Sequence, residues 1–168
     1  VSMDAPALTT AALSGQVDAI AAGSPMSLTI LAQAENATDI CSNVDFATMA
    51  SPGSWVVNPD WAAQNSDVLV RFNRAMFKAM DFASAATSDD AVAQEVAGYV
   101  AKITGLDAES TIAQRYDGSW LNSAQVLEMI ESGKLVEYYN NQQVNFGDAA
   151  GPLKADEFVL FDLMVNAK

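Results

Sequence analysis

Apolar residues recur every three or four positions in several stretches of this chain and run unbroken in one. Leu69, Phe72, Met76, Met80 and Ala83 fall on one face of a helix predicted over about Asp67 to Ala83, with Arg71, Arg74 and Lys78 opposite. Val92, Val96, Tyr99, Val100 and Ile103 place a second helix over Asp89 to Thr104, stopped by Gly105. Val126, Leu127 and Ile130 place a third over Asn122 to Ser132, with Gly133 where helices commonly end. Asp4-Ala5-Pro6 has the form of a helix start, because Asp caps free N–H groups and Pro lacks one. The run Ala7 to Ser14 continues that helix to Gly15, and Met26 to Ala34 suits a short helix after Ser24-Pro25.

The unbroken run is Val17 to Ala22, bounded by Gly15 and Gly23, which predicts a buried strand. Phe46 to Met49 and Ser54 to Val57 are extended candidates on either side of Pro52-Gly53, and Asn58-Pro59-Asp60 ends one element and starts another. Residues 35–43 are polar and loop-like. From Lys134 onward Tyr138-Tyr139, a Gln/Asn-rich patch and an apolar stretch near Phe158 to Val165 set no clear period. Two or three strands make a poor sheet by themselves, since unpaired edges leave backbone donors and acceptors bare. The pattern predicts the helix-rich side of an α/β protein whose main sheet lies elsewhere.

Composition narrows the function. The 168 residues suit about one domain of ordinary size, and half of them are apolar, enough for a core. Eight Lys and Arg against 21 Asp and Glu leave a net charge of −13, which disfavours nucleic acid and anionic membranes as partners. There is no His, so imidazole acid–base catalysis, Ser-His-Asp systems and HExxH zinc sites are excluded within the chain. Cys41 is the single cysteine, so no internal disulfide or cysteine zinc cluster forms. No apolar run approaches the roughly 18–20 residues of a membrane span. Val1-Ser2-Met3-Asp4 resembles neither an initiator Met sequence nor a signal peptide, so a processed chain or a piece of a longer polypeptide is expected.

Gly15-Gln16-Val17-Asp18-Ala19 followed by Ser24-Pro25 reads as a tight turn, a buried strand and a break at the strand's carboxyl end. In open α/β sheets that end is where ligands bind. Asp18 has a plainer reading as a residue that caps the turn or opens the strand. The stretch Ala11-Ala12-Leu13-Ser14-Gly15-Gln16-Val17-Asp18-Ala19 resembles the "ALxxGxVDA" segment of ABC-importer solute-binding proteins, in the sulfonate/taurine/nitrate/thiamine-precursor-like (NMT1/SsuA-like) family. Val56-Val57-Asn58-Pro59-Asp60-Trp61-Ala62 resembles the "VxNPDFA" element of the same family. The helix that follows it there, "P-D-V-x-x-x-F-x-x-A", is similar to Ser66-Asp67-Val68-Leu69-Val70-Arg71-Phe72-Asn73-Arg74-Ala75. The matched segments keep the family's order over residues 5 to 85. Ser24 departs from the pattern, standing where the family carries an acidic residue before Pro, and residues beyond Leu106 align only loosely.

The resemblance implies an α/β, two-lobed periplasmic-binding-protein fold of type II, of which this chain is the helix-rich C-terminal portion. Residues 1–40 would end the second lobe, and 41–168 would hold the hinge return and the C-terminal helices of the first. It implies a non-enzymatic, extracytoplasmic protein, periplasmic or extracellular and lipid-anchored or secreted. Such a protein captures a small organic or anionic solute between its lobes and presents it to the membrane permease of an ABC importer. The N-terminal half of the same protein would supply the other side of the cleft, and no cofactor or metal is implied. The carry-over places Ser24, Pro25 and Met26 at the cleft, with Ser24 as a polar anchor. Trp55, near the hinge return, would stack on a flat solute or else pack in the core.

Other features have plainer readings. Arg71, Arg74 and Lys78 would form an anion site or a solvated helix face. Tyr116-Asp117-Gly118-Ser119-Trp120 would line a sugar or base site or simply pack, and Asn36-Ala37-Thr38 has the form of a glycosylation acceptor. Two alternatives to transport follow from the same resemblance: a sensor that passes occupancy to a signalling partner, and an enzyme relative of the same fold. The known pyrimidine-synthesis version of that enzyme consumes a His, which this chain lacks.

Overall fold

The computed structural model describes residues 2–42, 45–46, 53–116, 118–146, 151 and 154–168, with side chains to 143 in the 118–146 stretch. These residues are 66% helical, and no strand occurs among them. The helix-rich character expected from the sequence is therefore the architecture observed. Val17 to Ala22, expected as a buried strand, is non-helical and only partly covered, with Asp18, Ala19 and Ala21 exposed. A strand needs a neighbour to take up its N–H and C=O groups, and no described residue offers a ladder. Ser54 to Val57 is likewise non-helical and unladdered, and of Phe46 to Met49 only Phe46 lies within the described residues.

The helices begin and end where local chemistry dictates. Helix α1 (Ala5–Leu13) starts on Asp4, whose carboxylate accepts from the Ala7 N–H at 2.9 Å. Helix α2 (Met26–Gln33) follows Pro25, and α3 (Pro59–Gln64) is capped by Asn58, which accepts from the Trp61 N–H at 3.1 Å. Helix α4 (Ser66–Ser84) is the longest at 19 residues. Helix α5 (Asp90–Thr104) is capped by Asp89 and stops at Gly105, whose φ of 73° is the left-handed conformation that glycine adopts without strain. Helix α6 (Ala108–Ala113) is capped by Asp107. Helix α7 (Ser123–Glu131) opens with a reciprocal box, the Asn122 and Gln125 side chains each accepting from the other's backbone N–H. Helices α8 (Lys134–Phe146), α9 (Ala155–Phe158) and α10 (Phe161–Val165) occupy the stretch whose pattern assigned no element.

The chain divides into two compact units. Unit 1 joins Val1–Cys41 to Asp89–Ser119, and unit 2 joins Ser42–Ser88 to Trp120–Lys168. In unit 1, α1 packs on α2 and α5 on α6. Its buried side chains, among the described residues, are Ala11, Ile30, Ala93 and Ala97. The inward face expected for α5 is corrected here, because Tyr99 is 53% and Ile103 86% exposed. Small side chains decide this: Ala93 and Ala97 let a neighbour approach closely, and Tyr99 lies along its own helix, donating to Glu95 at 2.9 Å with Lys102 over its ring.

Unit 2 has the larger core. Phe77, Val126, Leu135 and Ala167 form its buried centre, flanked by Val70, Met80, Leu121, Leu127, Met129, Ile130, Tyr139, Phe161 and Met164. Helix α4 packs on α7 and α10, and α8 on α7 and α9. The expected face of α4 is rotated, with Phe77 at its centre while Phe72 remains 39% exposed. Val126, Leu127 and Ile130 all turn inward as the spacing predicts.

Candidate functional site

The best-defined aromatic surface in unit 2 is built on the non-helical segment that enters α3. Trp55 is 76% exposed, so the core-packing reading of this residue does not hold. Its ring stands 5.7 Å from that of Phe72 at 82°, an edge-to-face arrangement that supports the indole on one side. The preceding residue is anchored as well, with the Ser54 Oγ and the Tyr139 hydroxyl 2.7 Å apart. Tyr139 is itself wedged edge-on between Phe158 and Phe161, at 6.4 and 6.3 Å. A Trp face open to water, braced by a second ring, can stack on a planar or ring-shaped solute, and the hydroxyls nearby can donate or accept.

Ser24, Pro25 and Met26 belong to unit 1, whereas Trp55 belongs to unit 2. Ser24 and Pro25 are exposed, and their peptide bond is cis. Met26 is half-buried and opens α2, where the Pro25 carbonyl accepts from both the backbone N–H (3.1 Å) and the hydroxyl (3.2 Å) of Thr29. Asp18 is exposed in the bend before them.

Arg71 and Arg74, two of the three cations of α4, are engaged with the protein itself. Arg71 pairs with Asp67 one turn back at 2.8 Å, and the Arg74 Nε donates to the Ala167 carbonyl at 3.3 Å, tying α4 to the end of the chain. That arrangement matches a solvated, locally paired face better than an anion site. In unit 1, Arg115 bonds Asp90 at 2.7 Å and lies 4.7 Å from the centre of the Tyr116 ring. Asp107 accepts from the Ser110 hydroxyl and backbone N–H, which hold its carboxyl below the usual range. Among the described residues no cluster of three or more His, Cys, Asp or Glu could hold a metal ion. No described helix is long and apolar enough to cross a membrane. Asp117, the second residue of the Tyr116–Trp120 stretch, lies outside the described residues.

Sequence reasoning singled out Trp55 but missed its supports. The spacing places Phe72 in the core, and Tyr139 lies in a stretch without a period. Only their position beside residues 54–55, distant in sequence, brings them into the site. No protein family, curated protein or solved structure matches the chain.

Proposed function

We propose that the chain is the C-terminal portion of a solute-binding component of an ABC importer, with a two-lobed fold of type II. It works outside the cytoplasm, periplasmic or secreted, without catalysing a reaction. A small organic or anionic solute is taken between the lobes and the closed form is offered to a membrane permease. The N-terminal half of the same protein supplies the opposite wall of the cleft. The observation that carries this reading is the exposed, braced indole of Trp55 three residues before the Asn58-Pro59 helix start. Support comes as well from the two motif segments that resemble the solute-binding family, one running from α1 through the Gly15 turn to Ala19 and the other entering α3 and α4. Ser24, Pro25 and Met26 contribute the second-lobe contacts.

Titration calorimetry of the intact protein with taurine, longer alkanesulfonates, nitrate and aminopyrimidines tests the reading. Saturable heat with at least one class is expected, weakened by Trp55→Ala. Absence of heat with all four classes overturns transport of these solutes.

A further inference from the structure

The hydrogen bond between Ser54 and Tyr139 joins residues 85 positions apart. It connects the non-helical segment that carries Trp55 to α8, a helix of unit 2 whose Leu135 sits in the buried core. Tyr139 is fixed at its other end, packed against the core with Phe158 and Phe161 edge-on to its ring. Residues 53–58 make no helix or ladder, so their own backbone does little to fix them. Trp55 and Val56 are 76% and 95% exposed, and burial therefore does little to restrain them either. Two side-chain contacts bear on where the indole points: Phe72 against its ring, and Tyr139 through Ser54.

We propose that Tyr139 is a positioning residue for Trp55, holding the indole as a preformed stacking platform through the Ser54 hydroxyl. The inference rests on the reading of Trp55 as a solute contact. Its physical logic is preorganisation: a ring already held in its binding orientation loses less freedom when the solute arrives. Tyr139 need not touch the solute, since it acts on the residue beside the one that does. A Phe at 139 keeps the ring packed between Phe158 and Phe161 and removes only the hydroxyl.

The test uses the 168-residue chain with Trp61→Phe/Trp120→Phe as background, leaving Trp55 as its sole tryptophan; both replaced residues are substantially exposed. Fluorescence anisotropy and acrylamide quenching then report on Trp55 alone. Tyr139→Phe and Ser54→Ala are each expected to lower the anisotropy and raise the quenching constant about twofold. The double variant should add little to either, because both remove the same bond. Ser54→Thr keeps a hydroxyl and should restore both readouts. Solute affinity, measured by calorimetry on the intact protein, should fall roughly fivefold in Tyr139→Phe, the worth of one neutral hydrogen bond. Far-UV circular dichroism checks that the helices are intact in every variant.

Unchanged anisotropy and quenching in Tyr139→Phe overturn the inference whatever the solutes do. A mobile Trp55 with unaltered solute affinity overturns it too, since the bond then has no bearing on binding. An unmutated protein that binds none of the solutes overturns the solute-binding reading, and with it the role given to the platform. The fluorescence of the variants shows separately whether the tether exists.

Discussion

Asp81 joins two helices of unit 2 through a single carboxylate. Its Oδ1 accepts from the Ser123 N–H at 2.7 Å and its Oδ2 from the Ser123 hydroxyl at 2.9 Å, so a residue of α4 satisfies an open donor at the start of α7. These bonds, the backbone one foremost, hold its carboxyl below the usual range. Stabilisation from a depressed acid is complete above its unfolded value, about 4, and is lost as pH falls through the lower folded value. Asp81→Ala is expected to cost about 1 kcal/mol at neutral pH, the low end for bonds to a charged acceptor because this one is bathed in water. The difference should shrink to nothing in strong acid; thermal melts at pH 7 and pH 2 measure it, and equal gaps at both would contradict it. Asn122→Ala, which opens the reciprocal box of α7, should cost about 1 kcal/mol at either pH, since its partner Gln125 does not titrate.

At the scale of the element, α4 shows how far periodicity reaches. Leu69, Phe72, Met76, Met80 and Ala83 satisfy the helical template, and so does a stripe turned toward Val70, Phe77 and Met80. Both are apolar, and the choice falls to whichever stripe α7 and α10 can pack against. Phe77→Ala is therefore expected to destabilise by about 3–4 kcal/mol, while Phe72→Ala costs under about 1 kcal/mol because its ring is already partly in water. Chemical denaturation of the two variants reads the contrast, and similar losses would restore the first stripe. Phe72→Ala should instead show itself at Trp55, whose ring it braces. At the end of α5, Gly105→Ala should cost about 1 kcal/mol purely from the positive φ, since a Cβ there meets nothing within 4 Å. The cap at Asp4 and the helix starts near Asn58-Pro59, Asp89 and Asn122 were legible beforehand because each signal acts within three residues. The α8 helix was not, because Tyr138-Tyr139 and the Gln/Asn residues carry no apolar period of their own and gain their helix from packing on α7 and α9.

For the whole molecule, a ligand that binds only the folded form stabilises it by mass action. Solute at a hundred times its dissociation constant should add about 2.7 kcal/mol, which raises the melting temperature by several degrees. A thermal melt with each solute class reads that shift. Mass spectrometry of the intact protein under native and denaturing conditions tests the expected N-terminal half, seen either as a longer chain or as a companion fragment. A lone 17.8 kDa chain that binds solute by itself would remove the need for it.

By itself the amino-acid sequence determined the helical character, the helix starts and glycine stops, and the exclusion of imidazole and disulfide chemistry within the chain, because these depend on neighbouring residues or on composition alone. It also marked Trp55. Only the tertiary structure decided that residues 89–119 group with 1–41, that Phe77 rather than Phe72 fills the core, and that Tyr139 reaches Ser54. Those outcomes depend on which surfaces meet across tens of residues, and a local apolar period is the same whichever partner it finds.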